Sequence, residues 1–165
     1  EEIWLRVYCT GPMDARPVVV LESGGGSSGA DFGTVQSTLS GQYQRRVCSY
    51  DRAGYGLSET GPNPRGEEAD AREFADLATA LGLPLGDSSL LCVGHSAGGQ
   101  ICRAHTRALP GTFKSIMLVD SVPINTWNSR QALARGDTVE LAMSGMSTRL
   151  SIVALAALCS PWAGI

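Results

Sequence analysis

A serine between two glycines, at the end of an apolar run, is the part of this sequence best suited to chemistry. Gly94, Ser96 and Gly98 fit the pattern G-x-S-x-G, in which a sharp turn between a strand and a helix raises the serine hydroxyl toward a substrate. Small neighbours let the strand and the helix approach closely. The N-terminal N–H groups of the helix point to the same place, which favours an oxyanion formed beside the serine. The pattern predicts a nucleophile next to a site that stabilises negative charge.

The residues around this serine have the secondary structure that such a turn requires. Ser88 to Val93 is an apolar run that predicts a strand, and Ala97 to Leu109 predicts a helix. Glycine- and serine-rich turns after a strand are common, so the five-residue pattern alone is only moderately specific. Its context favours a reactive turn over an accidental one.

Strand and helix patterns alternate along the first 123 residues. The predicted strand at residues 17–21 is a continuous, largely β-branched run, which is typical of a strand buried on both faces of a parallel sheet. The alternation predicts right-handed crossovers, with ligands at the carboxyl ends of the strands. The predicted fold class is therefore α/β, with a mostly parallel sheet flanked by helices. Strands are predicted at residues 3–9, 17–21, 46–50, 88–93 and 115–119, and helices at residues 32–39, 67–81 and 97–109.

The pattern changes after residue 123. Residues 125–165 contain no strand-like run and predict only short helices. Residues 150–165 carry no charge, but they are interrupted by Pro161 and are shorter than the ~20 apolar residues of a membrane-spanning helix. We expect residues 1–123 to form part of a sheet-and-helix core and residues 124–165 to form a helical cap or lid, without a membrane span.

Composition and charge limit the classes of partner. A chain of 165 residues suits one domain, and 43% hydrophobic with 18% charged residues is ordinary for a globular protein. The net charge of −3 offers no attraction to nucleic acid. Five widely spaced cysteines without a C-x-x-C pair favour small buried side chains over a metal site. We expect neither a metal nor a cofactor. The sequence does not decide whether distant cysteines form a disulfide, or in which cellular compartment the protein lies.

Three motifs, in this order, resemble the α/β-hydrolase superfamily over residues 3 to about 123. Val18 to Gly26 resembles the family's third strand and oxyanion loop. Tyr50 to Ser58, which reads YDRAGYGLS, is similar to the loop after the fourth strand, and Gly94 to Gly99 is similar to the nucleophile turn. The region after residue 123 resembles the cap that the family commonly inserts after its sixth strand. The three motifs in the correct order are much more specific than any one of them.

The resemblance implies roles for individual residues. Ser96 would be the nucleophile, and the backbone N–H of Ala97 would be one oxyanion donor. Gly25 is the expected second donor, with the glycine on either side of it as the alternatives, because Ser23-Gly24 stands where the family often has His-Gly. A serine nucleophile argues against the dehalogenase and epoxide hydrolase branches, which place aspartate there. Ester, thioester or amide chemistry through an acyl-enzyme fits better.

Charged residues near the motifs have weaker functional interpretations. Asp51 and Arg52 are interpreted as residues that organise neighbouring backbone. Asp120 follows a predicted strand at a place where some family members keep the acid of the catalytic triad. A residue beyond Ile165 is the alternative acid, and a purely structural aspartate is equally consistent.

The base that a serine hydrolase needs is missing from the predicted site. The family places its histidine after the last strand, and no histidine follows His105. His95 adjoins the serine, and His105 lies about 13 Å along the following helix, so both are interpreted as structural. The family's last two strands are also absent, which would leave residues 116–119 as an exposed apolar edge open to self-association. We therefore expect a fragment that ends before the catalytic histidine.

The function predicted for the complete form is hydrolysis of a small or medium apolar carboxylic ester through an acyl-enzyme on Ser96. As given, the chain is expected to be weakly active or inactive. The alternative is a non-catalytic pseudohydrolase that uses the same pocket to bind a small apolar ligand or a protein partner.

Overall fold

The computed structural model describes residues 2–63 and 65–121. The predictions for the end of the chain lie outside these residues. They comprise the helical cap at 124–165, the apolar stretch 150–165 and any role for a residue that follows Ile165.

Within the described residues, five strands and three α-helices alternate in the order that the sequence predicts. The strands are β1 (Val7–Thr10), β2 (Val18–Glu22), β3 (Val47–Tyr50), β4 (Leu90–His95) and β5 (Phe113–Val119). The α-helices are α1 (Gly33–Gly41), α2 (Glu67–Ala80) and α3 (Gly98–Ala108), and a 3-10 turn (Gly29–Phe32) precedes α1.

The strands form one sheet in the order β1-β3-β2-β4-β5. Strands β3, β2, β4 and β5 are mutually parallel, and β1 runs antiparallel to β3. The prediction of an α/β fold with a mostly parallel sheet is confirmed. Because the parallel strands all end at one edge, the loops that follow β2, β3, β4 and β5 meet there.

The first strand is shorter than predicted and starts four residues later. The segment before it pairs with the loop after β3 instead of with a strand. The Trp4 carbonyl accepts a hydrogen bond from the Glu59 N–H at 3.0 Å, and the Arg6 carbonyl accepts one from the Asp51 N–H at 2.9 Å. Apolar and polar residues alternate in this segment as they do in a strand, but the segment pairs with a loop.

The core has one layer on each face of the sheet, and β2 contributes to both. Val19 and Leu21 pack with Leu39 of α1 on one face, and Val18 and Val20 pack with α2 on the other. All five residues of β2 are buried. This explains why its first four residues, 18–21, form an uninterrupted apolar run. On the other face, α2 contributes Phe74 and Ala78 to the core.

Four of the five cysteines form disulfides, a possibility that the sequence leaves open. Cys48, Cys92 and Cys102 are buried, as expected. Cys9 of β1 is disulfide-bonded to its register partner Cys48 of β3. Cys92 of β4 is disulfide-bonded to Cys102 of α3. The second bridge spans the turn that contains Ser96.

Strand β5 is an edge of the sheet within the described residues. Only Met117 of this strand is buried, and its other residues are half-buried or exposed. Self-association through this edge stays a prediction.

Candidate active site

Ser96 lies in the turn between β4 and α3, where its backbone has a φ of 52°. Residues other than glycine rarely adopt this left-handed conformation. The Ser96 N–H donates to the Val119 carbonyl at 3.1 Å. The Ser96 carbonyl accepts from the Gly99 N–H at 3.1 Å and from the Ser121 hydroxyl at 3.2 Å. The turn is thus held by β5 and α3, while its half-buried hydroxyl forms no hydrogen bond to another described residue.

Close approaches of backbone explain the glycines around Ser96. A Cβ atom on Gly94 would lie 2.5 Å from the Gly98 carbonyl carbon, closer than real Cβ contacts come. A Cβ atom on Gly98 would overlap the Glu22 carbonyl oxygen, and one on Gly99 would overlap the Ser121 hydroxyl. The glycines at these positions therefore let β4, α3 and the end of β2 touch directly.

The glycine loop after β2 lies beside this turn. A Cβ atom on Gly24 would be 3.4 Å from the Ser96 Cβ, and one on Gly25 would be 3.8 Å from the Ala97 Cβ. Gly24 is buried and Gly25 is exposed. Among residues 2–63 and 65–121, no acceptor pairs with the N–H of Gly25 or of Ala97. The structure therefore brings together Ser96, Ala97 and Gly25.

The loop after β3 is organised by Asp51, a buried carboxylate that binds backbone. It accepts hydrogen bonds from the Gly29 N–H at 2.7 Å and from the Leu57 N–H at 2.9 Å. The Ser58 hydroxyl donates to the Asp51 carbonyl at 2.6 Å. These contacts confirm the interpretation of Asp51 as a residue that fixes two neighbouring loops.

A buried charged cluster lies behind the glycine loop, and sequence reasoning missed it. Glu22 ends β2 and is 1% exposed, while Arg52 is 4% and His105 is 0% exposed. The Glu22 carboxylate lies 3.5 Å from Arg52 and 2.9 Å from the His105 Nε2. Burial, followed by the nearby Glu22 charge, raises the pKa of Tyr50 well above its usual value. A charged residue at the end of an otherwise apolar strand was the sequence signal that could have revealed this cluster.

The histidines occupy different environments. His105 is fully buried, stacks on Phe74 with ring centroids 4.4 Å apart and binds Glu22. This confirms that it is structural. His95 is exposed, with its Nδ1 atom 3.4 Å from where a Gly24 Cβ would be. Among the described residues, neither histidine forms a hydrogen bond with the Ser96 hydroxyl.

Asp120 comes directly after β5, as predicted, but its surroundings do not identify it as a catalytic acid. It is exposed and has a φ of 44°. Within the part of the chain that the structure describes, no ion pair joins it to either histidine. Its assignment as the triad acid stays a prediction. The residues on either side of it bind the Ser96 turn: Val119 accepts from the Ser96 N–H, and Ser121, which sequence reasoning missed, donates its hydroxyl to the Ser96 carbonyl.

Residues 2–63 and 65–121 contain neither a metal-binding cluster nor a membrane-spanning helix. No group of three or more histidine, cysteine, aspartate or glutamate side chains in these ranges is arranged to hold a metal ion. Likewise, none of the helices that they contain is both long and apolar enough to cross a membrane.

Known proteins share both the sequence pattern and the architecture. The sequence model of the alpha/beta hydrolase fold matches residues 16–140. A human (lyso)-N-acylphosphatidylethanolamine lipase is 25% identical over 166 aligned positions, which cover 98% of this chain and 47% of the lipase. A non-heme chloroperoxidase from Streptomyces lividans is 32% identical over 114 residues, covering 68% of this chain and 39% of that protein. The chain thus spans less than half the length of these curated relatives.

The fold is also found among solved structures. A thermophilic esterase from Thermogutta terrifontis superposes with a TM-score of 0.65 at 24% sequence identity, covering 83% of this chain and 48% of the esterase. At this level of identity the likeness concerns the fold alone. Together with the family match over residues 16–140, it leads to one conclusion: the chain belongs to the alpha/beta hydrolase fold family.

Proposed function

We propose that this protein hydrolyses carboxylic esters through an acyl-enzyme formed on Ser96. The Ser96 Oγ attacks the ester carbonyl carbon and transfers its proton to a base. The carbon–oxygen bond to the alcohol then breaks, and the departing alcohol takes up that proton. Water hydrolyses the acyl-serine in a second step, releasing the acid and restoring the hydroxyl.

The observation that carries the proposal is the position of the glycine loop beside the Ser96 turn. Each attack on the carbonyl carbon places a negative charge on its oxygen. Two backbone donors, the N–H groups of Gly25 and Ala97, lie on the two chain segments that meet there, and neither has an acceptor within residues 2–63 and 65–121. Fixed donors of this kind supply a large share of catalysis in acyl transfer. The names of the relatives, a lipase and an esterase, support the same class of reaction.

The reaction also needs a base, and the described residues do not provide one at Ser96. His105 is held by Glu22, and His95 makes no hydrogen bond to the serine hydroxyl within residues 2–63 and 65–121. The proposal therefore requires a base from outside these residues. Without it, activity is expected to be lower by orders of magnitude, while oxyanion stabilisation leaves a residual rate.

A fluorophosphonate probe tests whether Ser96 is a reactive nucleophile. We expect slow, covalent labelling of the chain and slow hydrolysis of short-chain nitrophenyl esters, because the oxyanion donors act on both reactions. Both signals should disappear in Ser96→Ala. The matched control is Ser37→Ala, which removes an exposed hydroxyl from α1 and should leave both signals unchanged.

Two results would contradict the proposal. Labelling that persists in Ser96→Ala would assign the reaction to another residue. A folded wild-type chain that neither labels nor hydrolyses esters would leave ligand binding as the function of this chain. The gene downstream of Ile165 offers a separate check, because a coding sequence for a strand followed by a histidine would supply the missing base.

The apolar character of the substrate is part of the proposal and has its own measurement. Rates with nitrophenyl esters of increasing acyl length should rise from acetate to a medium-chain ester, because each added methylene that enters an apolar pocket contributes about 0.8 kcal/mol. Equal or falling rates along this series would restrict the substrate to small esters.

A further inference from the structure

The buried Arg52 side chain forms hydrogen bonds with the backbone of the glycine loop beside Ser96. One terminal nitrogen of Arg52 donates to the Ser23 carbonyl at 2.7 Å and contacts the Ser23 hydroxyl at 3.2 Å. Its other terminal nitrogen donates to the Gly24 carbonyl at 2.8 Å. The planar guanidinium therefore binds two consecutive peptide groups at once.

The direction of these carbonyls determines where the next N–H groups point. In a trans peptide, the carbonyl of one residue and the N–H of the following residue point to opposite sides. Because the Gly24 carbonyl points at buried Arg52, the Gly25 N–H points away from it. Gly25 itself is exposed and lies on the Ala97 side of the loop. The hydrogen bond from Arg52 to the Gly24 carbonyl thus orients the Gly25 N–H away from the core.

Arg52 is in turn immobilised by its neighbours. Glu22 lies 3.5 Å from the same nitrogen that binds the Ser23 carbonyl, which compensates the buried positive charge. The other oxygen of the Glu22 carboxylate pairs with His105 at 2.9 Å. The Tyr55 ring covers the guanidinium, 5.1 Å from its central carbon.

We propose that Arg52 is a positioning residue that aims the Gly25 N–H at the oxyanion, and that Glu22 and His105 hold it in place. This inference rests on the proposed function, in which Gly25 is an oxyanion donor. The role needs an arginine, because a lysine ammonium is a single point that does not reproduce the fork reaching two carbonyls. Arg52 acts only through the loop and does not touch the substrate.

The test compares Arg52→Lys with Arg46→Lys. Arg46 also donates to a backbone carbonyl, that of Gly11 at 3.1 Å, but it precedes β3 and so lies at the opposite end of the sheet. We expect Arg52→Lys to slow fluorophosphonate labelling and to lower kcat for a nitrophenyl ester by about tenfold to a hundredfold, as for a misaimed oxyanion donor. KM should change by less than about threefold, because the ground-state carbonyl relies little on this donor. Arg46→Lys should change neither.

A second readout does not depend on activity. In the ¹⁵N-labelled chain, the Gly25 amide cross-peak should move in Arg52→Lys, while that of Val20 in β2 should not. Glu22→Gln keeps the shape of the carboxylate and removes its charge, so it should move the same Gly25 cross-peak. It serves as the test if Arg52→Lys does not fold.

The outcomes separate the two proposals. A folded variant with an unmoved Gly25 cross-peak would overturn the role of Arg52, whatever its activity. A moved cross-peak with unchanged labelling and kcat would overturn it as well, because the aim of the N–H would then have no effect on the reaction. A wild-type chain that does not label would overturn ester hydrolysis, while the cross-peak would still decide whether Arg52 sets the orientation of the loop.

Discussion

The Ser96 backbone is held in a conformation that costs free energy. Its φ of 52° lies in the left-handed region, which is unfavourable by roughly 1–2 kcal/mol for a residue with a Cβ atom. Hydrogen bonds to Val119, Gly99 and Ser121 hold the turn in this state. Such strain is typical of functional turns, because it presents a side chain that a relaxed backbone would direct elsewhere.

This strain predicts an unusual order of stability for two substitutions at the same residue. Ser96→Gly relieves the steric cost, whereas Ser96→Ala keeps it. After subtraction of the greater flexibility of glycine in the unfolded chain, Ser96→Gly should be more stable than Ser96→Ala by roughly 0.5–1 kcal/mol. Denaturant unfolding of both variants measures the difference.

The same pair of substitutions at Ser37 is the control. Ser37 is exposed in the middle of α1 and has ordinary helical geometry. There the alanine variant should be the more stable one by about 0.5–1 kcal/mol. The same order at both positions would show that the Ser96 turn is not strained.

At the scale of elements, the site depends on the short distance between the first residue of α3 and the last residue of β2. Gly98 is the first residue of α3, and its Cα faces the Glu22 carbonyl without room for a Cβ atom. This contact places the start of α3, and therefore the Ala97 N–H, next to the loop that leaves β2. The glycines of the turn act mainly through packing.

The packing predicts that Gly98→Ala destabilises the protein by at least about 2 kcal/mol, because either α3 or β2 must move. Gly33→Ala is the matched control. Gly33 is the first residue of α1, has helical dihedral angles and has nothing within 4 Å of where its Cβ would be. That substitution should stabilise the protein by about 0.4–1 kcal/mol. Thermal unfolding of the two variants measures both effects, and equal melting temperatures would contradict the packing argument.

At the scale of the whole molecule, two disulfides join distant parts of the described fold. Cys9–Cys48 fastens the antiparallel edge strand β1 to β3, and Cys92–Cys102 fastens β4 to α3 across the Ser96 turn. Their partners are 39 and 10 positions apart in the chain. Closing loops of this size restricts the unfolded chain, which stabilises the fold by roughly 2–4 kcal/mol for each bridge.

The bridges predict that at most one of the five cysteines reacts with a thiol reagent in the denatured, unreduced chain. Four more should react after reduction, and reduction should lower the melting temperature. Five reactive thiols before reduction would contradict both pairings. Replacing Cys92 and Cys102 together by alanine separates the bridge at the turn from the one at the sheet edge.

Much of the architecture was predictable because its signals are local. The β-branched run of β2, the helical pattern of α2 and the glycines around Ser96 each indicate their own structure. The order of the three motifs was sufficient for the family and for the prediction that Gly25 and Ala97 meet Ser96.

The sequence by itself determined the order of the strands and helices, and that a serine stands at the end of a strand. Only the tertiary structure decided what that serine and its loop touch. The antiparallel direction of β1, the pairing of the cysteines, the contact of Ser121 with the Ser96 carbonyl and the hold of Arg52 on the glycine loop all depend on it. The Glu22–His105 pair, 83 positions apart, shows the reason. A hydrogen bond between distant residues leaves no periodicity in the chain, because it forms only where the packed elements bring the two side chains together.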